Sequence, residues 1–161
     1  MKDTVRAYLH LNFSPYTVLD SAISTVDSIT FTGSFQFTQP NGTYYIVIRH
    51  RNTIETWSKS GGEAFTSGST MNYDFTDLIT KAFSSNMKQV DTSPLTFGIY
   101  SGDVNQDGLV EATDLSMVDN ESANFSTGYI PEDVTGDGIV DGSDGLITGN
   151  NAANFVSSVT P

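Results

Sequence analysis

Cysteine is absent from this 161-residue chain, so it has neither disulfide staples nor thiol chemistry. Basic residues are scarce: seven Lys and Arg stand against nineteen Asp and Glu, for a formal net charge of −12. A surface that tracks phosphates needs clustered cations, so nucleic acid is excluded as a partner. No apolar run is long enough to cross a bilayer, which excludes membrane insertion by a helix. Met1-Lys2-Asp3 leads straight into an alternating segment, without the apolar core of a signal peptide. No phosphate loop, nucleophile elbow or HExxH occurs. The acids of the first hundred residues, Asp3, Asp20, Asp27, Glu55, Glu63, Asp74, Asp77 and Asp91, are scattered, so no carboxylate pair for hydrolysis is evident and an enzyme is not expected.

The charge that is present is unevenly placed. Residues 101–161 hold eleven acids and no Lys or Arg, whereas residues 1–100 carry eight acids against seven bases. This break predicts two domains, 1–100 and 101–161. So many like charges oppose compaction unless counter-ions intervene.

Within the acidic part, residues 103–114 read DVNQDGLVEATD and residues 133–144 read DVTGDGIVDGSD. A calcium loop places oxygen donors at positions one, three, five, seven, nine and twelve, with glycine at six where the chain turns sharply. The first copy offers Asp103, Asn105, Asp107, the Leu109 carbonyl, Glu111 and Asp114, with Gly108 at the turn. The second offers Asp133, Thr135, Asp137, the Ile139 carbonyl, Asp141 and Asp144, with Gly138 at the turn. Thr135 substitutes a neutral hydroxyl for the usual Asn or Asp. A solvated acidic turn is the alternative, since Asp and Gly also cluster in ordinary turns. Against it, identity runs beyond the ligand positions, through Val104/Val134, Val110/Val140, Asn120/Asn150 and 123–125/153–155. Two Ca2+ ions would reduce the segment's charge from −11 to −7, and binding would be coupled to folding because the cage does not exist in the unfolded chain.

Upstream, residues 4–13 alternate, with Val5, Ala7, Leu9, Leu11 and Phe13 on one side, as a half-buried strand requires. Further strand signals lie at 29–31, 35–37, 44–48, 54–57, 71–75 and 95–100, punctuated by Gln39-Pro40-Asn41-Gly42 and the Gly/Ser-rich stretch 58–69. This spacing predicts a β-sandwich of roughly seven or eight strands, of immunoglobulin-like or prealbumin-like kind, with a helix only around 74–83. After each acidic loop a short helix is predicted. Leu115, Val118, Ser122 and Phe125 form the apolar stripe of the first; Gly145, Thr148, Ala152 and Phe155 stand there in the second, with Gly149 shortening or fraying it. Val110 and Val140 are expected to pair in a short ladder joining the loops. The fold class is therefore mainly β, with a small α module at the end.

The paired loops, each followed by one helix and closed by Asp at position twelve, resemble a dockerin type I module over residues 101–161. The resemblance implies the calcium-ligand roles given above and docking onto cohesin domains of scaffold proteins through hydroxyl residues near positions ten and eleven. Thr113 and Ser143 occupy position eleven; the helices hold no Lys or Arg. The segments VRAYLHLN, SPYTVLDSA, TYYIVIRHRNTIETWS and MKQVDTSPLTFGIYSGDVNQDG are similar to a β-sandwich that precedes such repeats at the C-termini of large secreted bacterial proteins. That architecture implies a further strand ahead of residues 3–11, and its lack would leave a sheet edge for another chain to pair with.

These readings converge on a non-enzymatic, extracellular or cell-surface, calcium-binding module for protein–protein interaction. Its expected partners are other copies of the same chain, self-assembling into a surface polymer or filament, or a scaffold protein with a cohesin-like receptor. A carbohydrate ligand is the third reading, with Tyr44, Tyr45, Trp57 and Tyr73 as a stacking face; core packing explains the same residues. His10, on the polar side of its strand, and His50, between Arg49 and Arg51, read as surface histidines. Arg49, Arg51 and Glu55 read as cross-strand ion pairs. Lys2 or Lys88 could enter an isopeptide staple, and Asn12, Asn41 and Asn124 begin glycosylation sequons, without further signal for either.

Overall fold

The computed structural model describes residues 3–161. Lys2, one of the two staple candidates, lies outside them. The chain is mainly β, with two short helices near its C-terminal end. Its contacts divide the described residues into two compact units: one of residues 3–49, 55–99 and 159–161, the other of 50–54 and 100–158.

The larger unit is built on a sheet ordered β2-β1-β3-β4, with β5 also paired to β3. Its strands are β1 (Asp3–Leu11), β2 (Val18–Val26), β3 (Gly42–Arg49), β4 (Thr56–Trp57) and β5 (Glu63–Phe65). β6 (Lys88–Thr92) and β7 (Leu95–Gly98) form a separate antiparallel pair. β3 is central and covered on both faces, which explains its unbroken run of apolar residues. Tyr44 and Ile46 pack with Leu9 and Phe65 on one face, with Phe37, Met71, Tyr73 and Phe75 around them. Tyr45 and Val47 pack with Trp57 on the other, where Tyr8, Tyr16 and Phe83 close the cluster.

The seven strands among the described residues fall within the predicted number, but not all at the predicted places. Residues 29–31, 35–37 and 71–75 are not strands; Phe37, Met71, Tyr73 and Phe75 supply side chains to the core from irregular backbone. β2 went unpredicted: its Asp20, Ser21 and Ser24 interrupt the apolar pattern, and its pairing with β1, from Asp3↔Val26 to Leu9↔Asp20, defines it instead. The helix expected around 74–83 is two 3-10 turns, Ile79–Lys81 and Phe83–Ser85.

His10 is buried rather than on the surface. Its Nδ1 donates to the Tyr16 carbonyl at 2.8 Å and its ring meets Trp57 edge-on at 4.4 Å. Burial pushes the imidazole below its usual value, outweighing the Tyr16 bond and the Glu55 charge. Tyr44, Tyr45 and Trp57 are core residues, so they form no exposed sugar platform. Tyr73 is likewise engaged, donating its hydroxyl to the Lys81 carbonyl at 2.6 Å. Burial pushes that phenol up to about 12.

The smaller unit carries α1 (Ala112–Ala123) and α2 (Gly142–Ala153), which pack together. α2 is neither shorter nor frayed despite its glycines. Both helices have twelve residues, and both open with a capping box, Glu111/Asp114 and Asp141/Asp144. Gly145 and Gly149 leave room for Leu115, whose Cδ atoms would lie 3.7–4.0 Å from a Cβ at either glycine. Phe125 and Phe155 depart from the expected stripe: each has positive φ just past its helix and is more than 80% exposed.

Val110 and Val140 do not pair with one another. Val110 N–H donates to the Val156 carbonyl at 2.8 Å, and Val140 N–H to the Ser126 carbonyl at 2.9 Å. Each loop is thus laced to the residues that follow a helix: the second to those after α1, the first to those after α2. Burial organises the unit in two clusters, Ile54, Val110 and Val156 in one and Val104, Val118 and Val140 in the other.

Candidate functional site

Each acidic loop is held by its own carboxylates. In the first, Asp103 is 2% exposed and accepts from Asp107 N–H and Gly108 N–H, both at 3.1 Å. Asp114, fully buried, accepts from Val104 N–H at 2.9 Å, Asn105 N–H at 3.2 Å and Glu111 N–H at 3.0 Å. The Asn105 amide donates to Asp107 at 2.9 Å while its oxygen accepts from Asp107 N–H, and Asp107 also accepts from Leu109 N–H. Gly108 sits at φ +89°, a left-handed conformation that favours glycine and lets the chain reverse.

The second loop repeats the scheme. Asp133, fully buried, accepts from Gly136 N–H at 2.9 Å and Gly138 N–H at 3.1 Å. Asp144 accepts from Thr135 N–H at 2.8 Å and Asp141 N–H at 2.9 Å. Asp137 accepts from Ile139 N–H, Asp141 from Ser143 N–H, and the Thr135 hydroxyl lies 3.5 Å from Asp133. Gly138, at φ +88°, makes the same turn as Gly108.

Positions nine and twelve of each loop are also the N-cap and third residue of the following helix. One pair of acids thereby begins the helix and ends the loop. Among the described residues no three acidic or histidine side chains gather into a preformed metal cluster. The position-one and position-twelve carboxylates instead face backbone donors, and positions three and seven offer neutral amide, hydroxyl or carbonyl oxygen.

The electrostatics of the two copies differ. Burial, aided by the charges of Asp114 and Asp107, pushes the Asp103 carboxyl up to about 6 despite the Gly108 and Asp107 N–H bonds. Asp133 has a cation beside it, Arg51, whose Nη2 lies 3.5 Å from its carboxylate. The ion pairs expected among Arg49, Arg51 and Glu55 form only in part. The structure pairs Arg49 with Glu55 and turns Arg51 to the second loop, where it donates to the Ile130 and Asp133 carbonyls at 3.0 and 2.7 Å.

Residues 101–150 match the dockerin type I domain family. The dockerin match spans the first loop, α1, the second loop and most of α2. No curated protein sequence matches the chain. Among solved structures, the chain is similar to one from Acetivibrio cellulolyticus, described as a C-terminal interface mutant of a type II cohesin–X-dockerin complex. The identity is 15% and the TM-score 0.47, over 94% of this chain and 84% of that one.

Proposed function

We propose that residues 101–158 form a calcium-stabilised docking module that joins this chain to another protein outside the cell. The observation that carries the reading is the duplicated loop: residues 103–114 and 133–144 each carry oxygen-bearing residues at the spacing a calcium ion asks for, on two loops whose backbones are already turned by Gly108 and Gly138. The donor set fits the ion. It is made wholly of oxygen, as a hard cation prefers, and the mutual repulsion of Asp103, Asp107 and Asp114 is what a divalent charge would relieve. One ion would be held by Asp103, Asn105, Asp107, the Leu109 carbonyl, Glu111 and Asp114. The other would be held by Asp133, Thr135, Asp137, the Ile139 carbonyl, Asp141 and Asp144. Calcium supplies charge neutralisation and loop order there, not catalysis.

The dockerin match favours a cohesin-type receptor on a scaffold or cell-surface protein as the partner. The second reading, self-assembly, draws on β2, a nine-residue strand at one end of its sheet with Val18 and Ile23 exposed. Analytical ultracentrifugation in millimolar calcium and in chelator tests both. A calcium-bound monomer that captures a cohesin domain supports heterotypic docking. Large species that dissolve in chelator would replace that reading with self-assembly, and a hydrodynamic shape and melting temperature indifferent to calcium would overturn the calcium site.

A further inference from the structure

Residues 50–54 follow β3 in sequence yet belong to the same compact unit as the two loops. They grip the chain at the entrance to both. Asn52, 2% exposed, donates its amide to the Pro131 and Asp133 carbonyls, each at 3.0 Å, and its own carbonyl accepts from Gly102 N–H at 2.7 Å. The Gln106 amide donates to the Thr53 carbonyl at 3.1 Å and the Asp103 carbonyl at 2.6 Å. The first residue of each loop is therefore fixed by a neutral amide. Among the described residues, charge is added only at the second. The Arg51 guanidinium donates to the Ile130 and Asp133 carbonyls, stands 3.5 Å from the Asp133 carboxylate, and lies over the Tyr129 ring at 4.3 Å. Its side chain is 11% exposed, so solvent screens it little.

We propose that Arg51 makes the two calcium loops unequal: it keeps the second loop formed without a cation and weakens calcium binding there, so the first loop fills first. This rests on the calcium reading above. Two effects of Arg51 oppose each other, and the structure separates them. Holding the loop backbone in place favours binding, but Asn52 grips the same Asp133 carbonyl and keeps doing so when Arg51 is replaced. The positive charge has no such substitute. It satisfies the position-one carboxylate in advance and repels a second cation, so its removal should tighten the site. Among the described residues no cation is paired with Asp103, whose charged neighbours are the acids Asp107 and Asp114.

The test is calorimetric calcium titration of the full chain, unaltered and as Arg51→Met and Arg51→Lys, with Asp107→Ala in each background to silence the first loop. The unaltered chain should take up calcium in two steps, the weaker one surviving Asp107→Ala. Arg51→Met should tighten that weaker step roughly tenfold, the scale on which one close charge changes a carboxylate's affinity for a cation. Amide exchange across residues 133–141 should meanwhile quicken in chelator. Arg51→Lys keeps the charge without the planar fork and should leave the weak step near its original affinity. An unchanged or weaker second step in Arg51→Met overturns the proposal, as does equal tightening in Arg51→Lys, which decides the matter if the Met variant does not fold. No calcium uptake by the unaltered chain would instead overturn the calcium reading itself.

Discussion

The Val110 N–H donates to the Val156 carbonyl at 2.8 Å, so the first acidic loop is closed by residues that follow the last helix. Ser158 N–H adds a second bond to the Gly108 carbonyl at 2.7 Å. Val110 is fully buried, against Ile54 and Val156. Val110→Ala should therefore cost about 2 kcal/mol through the cavity it leaves. Truncation after Asn154 removes both closing bonds and the Val156 side chain, and should abolish the first loop's calcium response while sparing the second. Urea melts in calcium and in chelator measure the first effect; calcium titration measures the other.

Asp107→Ala combined with Asp137→Ala should eliminate the rise in melting temperature on adding calcium. An undiminished shift would sink the ligand assignment. The unaltered protein's shift should itself shrink below about pH 6, because the metal-free Asp103 carboxyl is held at about 6 and must lose its proton to coordinate.

The parts most legible in sequence were those in which one local pattern carries the structure. β1 alternates, and Ala7 and Leu9 are buried accordingly. The acidic loops repeat with a fixed spacing, and Gly108 and Gly138 have the positive φ that their positions called for. β2 was hidden because partners and not periodicity hold it: Asp20 and Ser24 share the less exposed side with Ala22 and Val26, Leu19 and Ile23 stand on the exposed side, and their place is set by register with β1. Val110 and Val140 looked equivalent and adjacent, but each loop pairs with a segment beyond a helix, a long-range choice that ligand spacing does not encode. The partner of Arg51 is not legible for a related reason. Three charges within seven residues admit several pairings, and only the fold shows that Glu55 is taken by Arg49.

Acidification should weaken the larger unit through His10. Burial lowers the folded imidazole below 6.5, so on lowering pH the unfolded chain takes up its proton first. The stability it contributes is whole above about 6.5 and is lost as pH falls below that value. His10→Gln removes the titration and retains an amide to donate to the Tyr16 carbonyl, at a cost of about 1 kcal/mol in contact with Trp57. A melting series from pH 8 to pH 5 should be flatter for the variant; an identical slope would show that other groups set the acid limit.

Two glycines of the smaller unit should respond oppositely to the same substitution. Gly149 lies within α2, and a Cβ there would meet the Leu115 Cδ atoms at 3.7 and 3.8 Å, ordinary contact. Gly149→Ala should thus stabilise by about 0.5–1 kcal/mol, the entropy a helical glycine forfeits. Gly102 is at φ +107°, and its Cβ would come within 3.1 Å of both the Thr148 Cα and the Val110 Cγ1. Gly102→Ala combines an unfavourable backbone with a collision against α2, and should destabilise by more than about 1 kcal/mol. It should also weaken the first calcium step, because Asp103 is the next residue, whereas Gly149→Ala should leave both steps unchanged. Thermal melts and calcium titrations of the two variants separate these effects; a destabilised Gly149→Ala would mean that α1 and α2 pack too tightly to admit the methyl group.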